Sequence, residues 1–331
     1  MQTRNLGRNG PACSAIGLGL MGMSDFYGPA DRAESLATID AALEAGITLL
    51  DTGDFYGMGN NELLAAVALA GRQRDRVILS VKFGALRDPG GNFIGVDGRP
   101  ASVKTFLAYT LKRLNTDYVD IYRPARVDPA VPIEDTVGAI ADMIQAGWVR
   151  HLGLSEVSAE TVRRAHAVQP VIDLQIEYSL FSRGIEAEIL PTLRELGIGV
   201  TAYGVLSRGL ISAGAMRGES ATGFRAGLPR FQGDNLTRNL ALVEALTAIA
   251  ADRGLTVAQL AIAWALSRGD DIVPVIGARR RERLAEALGA LDVSLSADDL
   301  AAIEAAVPPG AVAGPRYSAA NMATLDSERR G

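Results

Sequence analysis

The chain has 331 residues, of which 33 are Lys or Arg and 38 are Asp or Glu, giving a formal net charge of −5. That balance offers no electrostatic footprint for a nucleic-acid partner, and no apolar run reaches the ~18 residues expected of a membrane-spanning helix. One cysteine, Cys13, excludes an internal disulfide framework and a cysteine-built zinc site, and two histidines, His151 and His166, leave little room for a histidine-rich metal centre, so the expectation is a metal-free cytoplasmic protein.

The N-terminal stretch places Arg4 and Arg8 before an apolar run from Ala15 to Met23. It reads as a first strand at 15–20; the alternative, a secretion signal, lacks a cleavage site and runs straight into Asp25. Gly17-Leu18-Gly19-Leu20-Met21-Gly22 spells G-x-G-x-x-G, but within and after a strand. The acidic residue about twenty positions on, Asp40, falls in a helical run, which disfavours a dinucleotide-binding turn. Glycines that let a loop pass close to a ligand are the simpler account. A helix follows at 32–45, with Leu36, Ile39 and Leu43 on one face.

Further strands are expected at 48–50, 77–81, 118–122, 150–154, 171–175, 199–203 and 272–276. Helical patterns lie between them, at 102–114, 133–146, 159–167 and 257–266. Ser158, followed by Glu160 and Thr161, has the form of an N-cap with an acidic first turn. Eight strands alternating with helices predict an α/β fold, a (β/α)8 TIM barrel, as a single domain over 1–331. Two connections are long for a compact domain, where loops beyond about 12–15 residues are lids, binding loops or disordered. One spans 84–100 after the third strand. The other spans 204–238 after the seventh and carries Arg208, Arg217, Arg225, Arg230 and Arg238. From Pro308 onward the irregular C-terminal tail, 308–331, shows no period and either folds over a site or moves freely.

The residues at the strand ends carry the chemistry. Asp51, Lys82, Ser155, Gln175, Tyr203 and Gly277 all fall there, on the barrel face that holds active sites. Tyr56 lies five residues after Asp51. A tyrosine titrates near ~10, and a neighbouring ammonium lowers that value. Lys82 supplies the charge and Asp51 holds the ammonium, which suits delivery of a proton to a carbonyl oxygen while hydride reaches its carbon. Such a positioned acid is worth ~10²–10⁴-fold. A structural Asp–Lys ion pair with Tyr56 in a loop is the alternative from these residues alone. Asp25-Phe26-Tyr27-Gly28 echoes Asp54-Phe55-Tyr56-Gly57 and makes Tyr27 the competing acid, without an aspartate ending the strand before it.

Taken in order, several phrases resemble the aldo-keto reductase superfamily over nearly the whole chain. They are Leu50-Asp51-Thr52, Asp54-Phe55-Tyr56-Gly57 with Asn61-Glu62, Lys82, Gly153-Leu154-Ser155, Gln175-Ile176-Glu177-Tyr178-Ser179, and Ala202-Tyr203-Gly204-Val205-Leu206-Ser207-Arg208-Gly209. The resemblance implies a barrel that binds NADPH (NADP+) in extended form and reduces a small-molecule aldehyde or ketone. It makes Asp51, Tyr56 and Lys82 catalytic, with Tyr56 the proton donor. It assigns Ser155 and Gln175 to the nicotinamide carboxamide and Tyr203 to the nicotinamide ring, with Gly204, Leu206 and Arg208 in the adjoining cofactor segment. Gly277 to Glu286 matches the adenosine-phosphate segment, where Arg279 and Arg283 grip the 2′-phosphate and Glu286 contacts adenine. Guanidinium groups suit phosphate oxygens, and arginines at a helix start oppose the macrodipole unless an anion is bound.

Three positions depart from the family pattern. Its fourth catalytic residue, a histidine, is Ala125 here, within Tyr122-Arg123-Pro124-Ala125-Arg126; its Asn after Ser155 is Glu156, and its Asn after Glu286 is Ala287. The expectation is that Arg123 or Arg126, or a water beside Ala125, orients the carbonyl instead. Tyr27, Phe83, Tyr317 and Met322 are expected wall residues of the substrate pocket. A nicotinamide-binding regulatory or sensor protein with weak turnover is the competing function. A barrel hydrolase using Asp51 and a second carboxylate would leave Tyr203 and the arginines unexplained.

Overall fold

The structure is a computed structural model describing residues 1–212 and 223–329. Eight parallel strands close into a barrel in sequence order: β1 (Gly17–Gly19), β2 (Leu49–Gly53), β3 (Ile78–Phe83), β4 (Val119–Pro124), β5 (Val149–Ser155), β6 (Val171–Glu177), β7 (Gly199–Tyr203) and β8 (Ile272–Gly277). Each is a short run of residues that fit a pleated, two-sided buried surface, which is what a parallel sheet under helices demands. All eight expected strands are present. The first is shorter than expected, and its glycines let it pass close to its neighbours: an added Cβ at Gly17 would meet Leu49 at 2.8 Å. The G-x-G-x-x-G phrase thus serves barrel closure at its start.

Around the barrel run α1 (Arg32–Glu44), α2 (Asn60–Leu69), α3 (Pro100–Leu114), α4 (Ile133–Gln145), α5 (Ala159–Val168), α6 (Ile189–Leu196), α7 (Gly233–Asp252), α8 (Val257–Ser267), α9 (Arg281–Leu288) and α10 (Ala297–Ala306). Side-chain caps start several of them. Ser158 accepts from the Thr161 N–H, and Thr256 with Gln259 forms a capping box on α8. In α1 the buried face is Ser35, Thr38, Ile39 and Ala42, so only Ile39 of the three expected apolar residues is fully covered.

Alternation along the strands sorts side chains to two destinations. Leu79, Val81 and Phe83 pack outward in the large core with the helices, whereas Leu49, Ile78, Ile121, Val273 and Val275 join Leu6 and Cys13 in a separate interior cluster. Leu6 and Cys13 come from a hairpin, Thr3–Asn5 with Ala12–Ser14, that covers this end of the barrel. At the other end a second hairpin, Ala85–Arg87 with Phe93–Val96, rises from the connection after β3. The tail after α10 contains a short helix, Ala319–Met322. Arg217 lies outside the described residues. Among the described residues no helix is long and apolar enough to cross a membrane.

Candidate active site

The register of β2, β3 and β4 sets the centre of the site. Asp51 pairs with Ser80, and Gly53 and Arg123 flank Lys82. Asp51 Oδ1 therefore meets the Lys82 ammonium in a buried ion pair. Its Oδ2 accepts from Ser80 Oγ at 2.8 Å and from Gln175 Nε2 at 2.8 Å. The Lys82 Nζ lies 5.3 Å from the centroid of the Tyr56 ring. Tyr56 opens a tight turn after β2, with Gly57 and Met58 both left-handed. Asp25 accepts from the Gly57 N–H at 3.0 Å, and Asn61 braces the same region through Thr52 and the Leu20 carbonyl.

Burial, and then the charge of Asp51, push the Tyr56 phenol well above its ordinary value, while Arg126 pulls it down. The phenol therefore keeps its proton in the resting site. Burial depresses the Lys82 ammonium, with Arg123 and Arg126 acting the same way against Asp51. A neutral acid beside a cationic pair is poised to release its proton only as negative charge develops nearby.

Two expected pocket residues belong elsewhere. Phe83 is fully buried on the outer side of β3, stacked on Tyr122 at 4.2 Å between ring centroids, because its neighbour Lys82 takes the inward position. Arg123 points inward but lies below the mouth. It is fully buried, ion-paired with Asp173 at 3.0 Å and hydrogen-bonded to Ser80 Oγ at 3.0 Å, Thr201 Oγ1 at 3.3 Å and the Leu154 carbonyl at 3.2 Å. Groups from four other strands thus hold it in the interior, so it is not a wall of the substrate pocket. Ala125, by contrast, follows at the strand end, and Arg126 extends from there with one hydrogen bond, to the Ala125 carbonyl. Neither histidine reaches this centre: His151 pairs in register with Ile121 of the interior cluster, and His166 accepts from the Val171 N–H.

The tail supplies what the sequence reading missed. Arg316 forms a buried ion pair with Glu156, at 2.5 and 2.8 Å to its two oxygens. Ser327 Oγ donates to Glu156 at 2.6 Å, and Asp326 accepts from the Ser158 N–H at 2.8 Å. Tyr203 donates to Glu156 at 2.6 Å, and its hydroxyl lies 3.0 Å from that of Tyr317. Burial alone would raise Glu156, but Arg316 holds it well below the usual carboxylate range. Glu156 sits in the left-handed region at φ 53°, a strained conformation for a residue with a Cβ. Behind it Glu177 accepts from Arg208 at 2.7 Å, with Arg230 at 3.5 Å. Glu177 is reachable by alternation, two residues beyond Gln175; Arg316 gives no signal by period or spacing.

Uncommitted groups mark where an extended anionic cofactor fits. The Ser155 hydroxyl and Gln175 Oε1 make no hydrogen bonds among the described residues, and Tyr203 ends β7 beside them. Farther out, Arg225 and Arg279 have no carboxylate within 4.0 Å among those residues. Arg279 donates to the Tyr27 carbonyl at 2.9 Å, and Arg225 lies 5.0 Å over the Tyr27 ring. Tyr27 therefore stands among these arginines. Gly277 leads into α9, where Arg283 is at present paired with Glu286 at 2.8 Å. Guanidinium groups lacking counterions fit phosphate oxygens. The backbone between Gly204 and Gly209 is left-handed at Ser207 and Arg208 as well, a concentration of strain characteristic of ligand loops.

Comparison with known proteins agrees with this arrangement. The sequence model described as "Aldo/keto reductase family" matches residues 15–308. The chain is 40% identical to the Probable aldo-keto reductase 1 of Glycine max over 319 residues, covering 96% of this chain and 92% of that one. It superposes with a TM-score of 0.84 on a glycerol dehydrogenase from Gluconobacter oxydans, at 27% identity, covering 92% of this chain and 94% of that one. A holo-form aldo-keto reductase from Bacillus halodurans gives a TM-score of 0.78 at 27% identity, with coverages of 93% and 96%.

Proposed function

This chain belongs to the aldo/keto reductase family, oxidoreductases acting on carbonyl groups, and from that premise we propose that it reduces an aldehyde or ketone with NADPH, Tyr56 donating the proton. The observation that carries this reading is the sequence of contacts from Asp51 to Lys82 to the face of Tyr56 at one end of the barrel. Bound in the mouth, NADPH supplies a hydride to the carbonyl carbon. Ser155 and Gln175 hold its carboxamide, Tyr203 its ring, and Arg279, Arg283 and Glu286 its adenosine phosphate end. Tyr56 keeps its proton until the carbonyl oxygen becomes negative. Lys82, fixed by Asp51, and Arg126 then stabilise the phenolate that remains. Arg126 takes the carbonyl-orienting place that a histidine at Ala125 would have had.

Tyr56→Phe tests this directly. The variant should lose about 10²–10⁴-fold in turnover and bind NADPH within a few-fold of the parent by fluorescence titration. Loss of both together would make Tyr56 a structural residue. The Glu156–Arg316 pair, clamping Tyr203, favours a second reading as a nicotinamide sensor with weak turnover. Rapid single-turnover reduction of a carbonyl by bound NADPH would eliminate that alternative.

A further inference from the structure

We propose that Arg87 is a positioning residue for proton transfer: by holding Asp25 it fixes the turn that carries Tyr56, which makes the hairpin after β3 part of the site. This rests on the reading above that Tyr56 is the proton donor, and the redox step is unchanged: the carbonyl carbon takes the hydride and its oxygen takes the Tyr56 proton.

The turn needs an outside hold. Gly57 and Met58 both lie in the left-handed region at φ 54°, and Gly59 follows at φ 93°. Met58 carries a Cβ and is exposed, so neither its own preference nor burial keeps it there. Such residues persist only where their surroundings over-determine them. The hold comes from the loop after β1. Asp25 Oδ2 accepts from the Gly57 N–H at 3.0 Å, and Asp25 Oδ1 accepts at 2.9 Å from the N–H of Phe26, itself left-handed at φ 64°. One carboxylate thus fixes two strained residues, and the Phe26 ring meets that of Tyr56 edge to face at 6.2 Å between centroids.

Arg87 fixes the carboxylate in turn. Its Nη2 donates to Asp25 Oδ2, the same oxygen that takes the Gly57 N–H. The two side chains are only 10% and 17% exposed, so solvent ions screen the pair little. The guanidinium is itself confined. Arg87 pairs in register with Phe93 across the hairpin, and its Cζ lies 4.2 Å from the centroid of that ring and 5.3 Å from that of Phe26. Nη1 donates to the Gly91 carbonyl at 2.9 Å. Nε is buried with no hydrogen-bond partner among the described residues, so hydrogen bonding alone does not account for the placement. The strand that presents Lys82 to the Tyr56 ring therefore continues into the residue that secures the Tyr56 backbone.

The test follows reduction of 4-nitrobenzaldehyde by NADPH. A misplacement of about 1 Å can cost on the order of 10²-fold, so Arg87→Met should lower kcat by about ten- to a hundredfold while binding NADPH within a few-fold of the parent. Arg87→Lys, which keeps the charge without the planar fork, should regain part of the loss. The solvent deuterium isotope effect on kcat should rise in Arg87→Met, because a misplaced phenol slows proton transfer relative to the other steps; a merely structural role would leave it unmoved. In single turnovers, Arg87→Met added to Tyr56→Phe should cost less than about twofold more, since both changes act through one group. An unchanged kcat and isotope effect in Arg87→Met, or an equal loss in both backgrounds, overturns the proposal. Should Tyr56→Phe itself turn over like the wild type, the reductase reading fails, and amide exchange over residues 55–59 still decides the role of Arg87. Exchange that is faster in Arg87→Met and partly slowed again in Arg87→Lys supports it; equal exchange in all three proteins overturns it.

Discussion

Gly153 faces the interior of the barrel against the Arg123–Asp173 ion pair. A Cβ there would lie 2.7 Å from Asp173 Oδ1, 2.8 Å from Ile121 Cγ2 and 3.1 Å from Arg123 Cζ. None of these can retreat easily, because both charged side chains are fully buried and Arg123 is held by groups on four other strands. Gly153→Ala should therefore cost about 1–3 kcal/mol, the usual toll of overpacking, in urea denaturation. An unchanged midpoint would mean that the ion pair shifts freely. The same inward alternation explains which site residues were legible. Asp51 and Lys82 point inward in the C-terminal parts of their strands, so spacing alone brings them to one mouth. Phe83 and Arg123 lie next to such positions along the chain, but strand parity sends the former outward and depth in the barrel removes the latter from the mouth.

The C-terminal segment acts as a strap fastened at several points. Asn239 exchanges hydrogen bonds with Ala313 at 2.8 and 2.9 Å, Arg230 donates to the Gly314 carbonyl at 3.2 Å, and Asp326 helps cap α5. Arg316, between these anchors, neutralises Glu156. Removing one partner of such a buried pair typically costs about 3–5 kcal/mol, because the other charge is left uncompensated. Arg316→Met should accordingly release the strap, seen as faster amide exchange and protease cleavage over 311–329. Adding Glu156→Gln should recover part of the loss, since no stranded charge remains. Protection unchanged in the single variant would show that the other anchors suffice. Composition could not reveal this element. The tail has no periodic pattern, and Glu156 and Arg316 stand 160 positions apart. Glu156 registered only as a departure from a family asparagine, with nothing local to name its partner.

For the molecule as a whole, eight strands alternating with helices made the barrel legible, since each βα unit writes its own pattern of period. The two hairpins escaped notice because strands of three or four residues are too short to show alternation. Stability across pH is likewise a property of the folded whole. Burial, and then the charge of Glu62, push the Asp54 carboxyl up to about 8, whereas in the unfolded chain it ionises near ~4. Between those values the unfolded state releases a proton that the folded state retains, so this group's favourable contribution is full below pH ~4 and is lost as pH rises toward the folded value. His151 acts in the opposite sense: burial lowers its folded value, so its contribution is lost as pH falls. Glu156 and Glu177, both lowered by the arginines around them against the effect of burial, change only in acid. Comparing the wild type with Asp54→Asn removes these shared terms. The wild type should lose stability relative to the variant by a few kcal/mol from pH 5 to pH 8, then level off, in denaturant titrations at each pH. A difference that stays constant over that range would mean Asp54 is ionised in the folded protein.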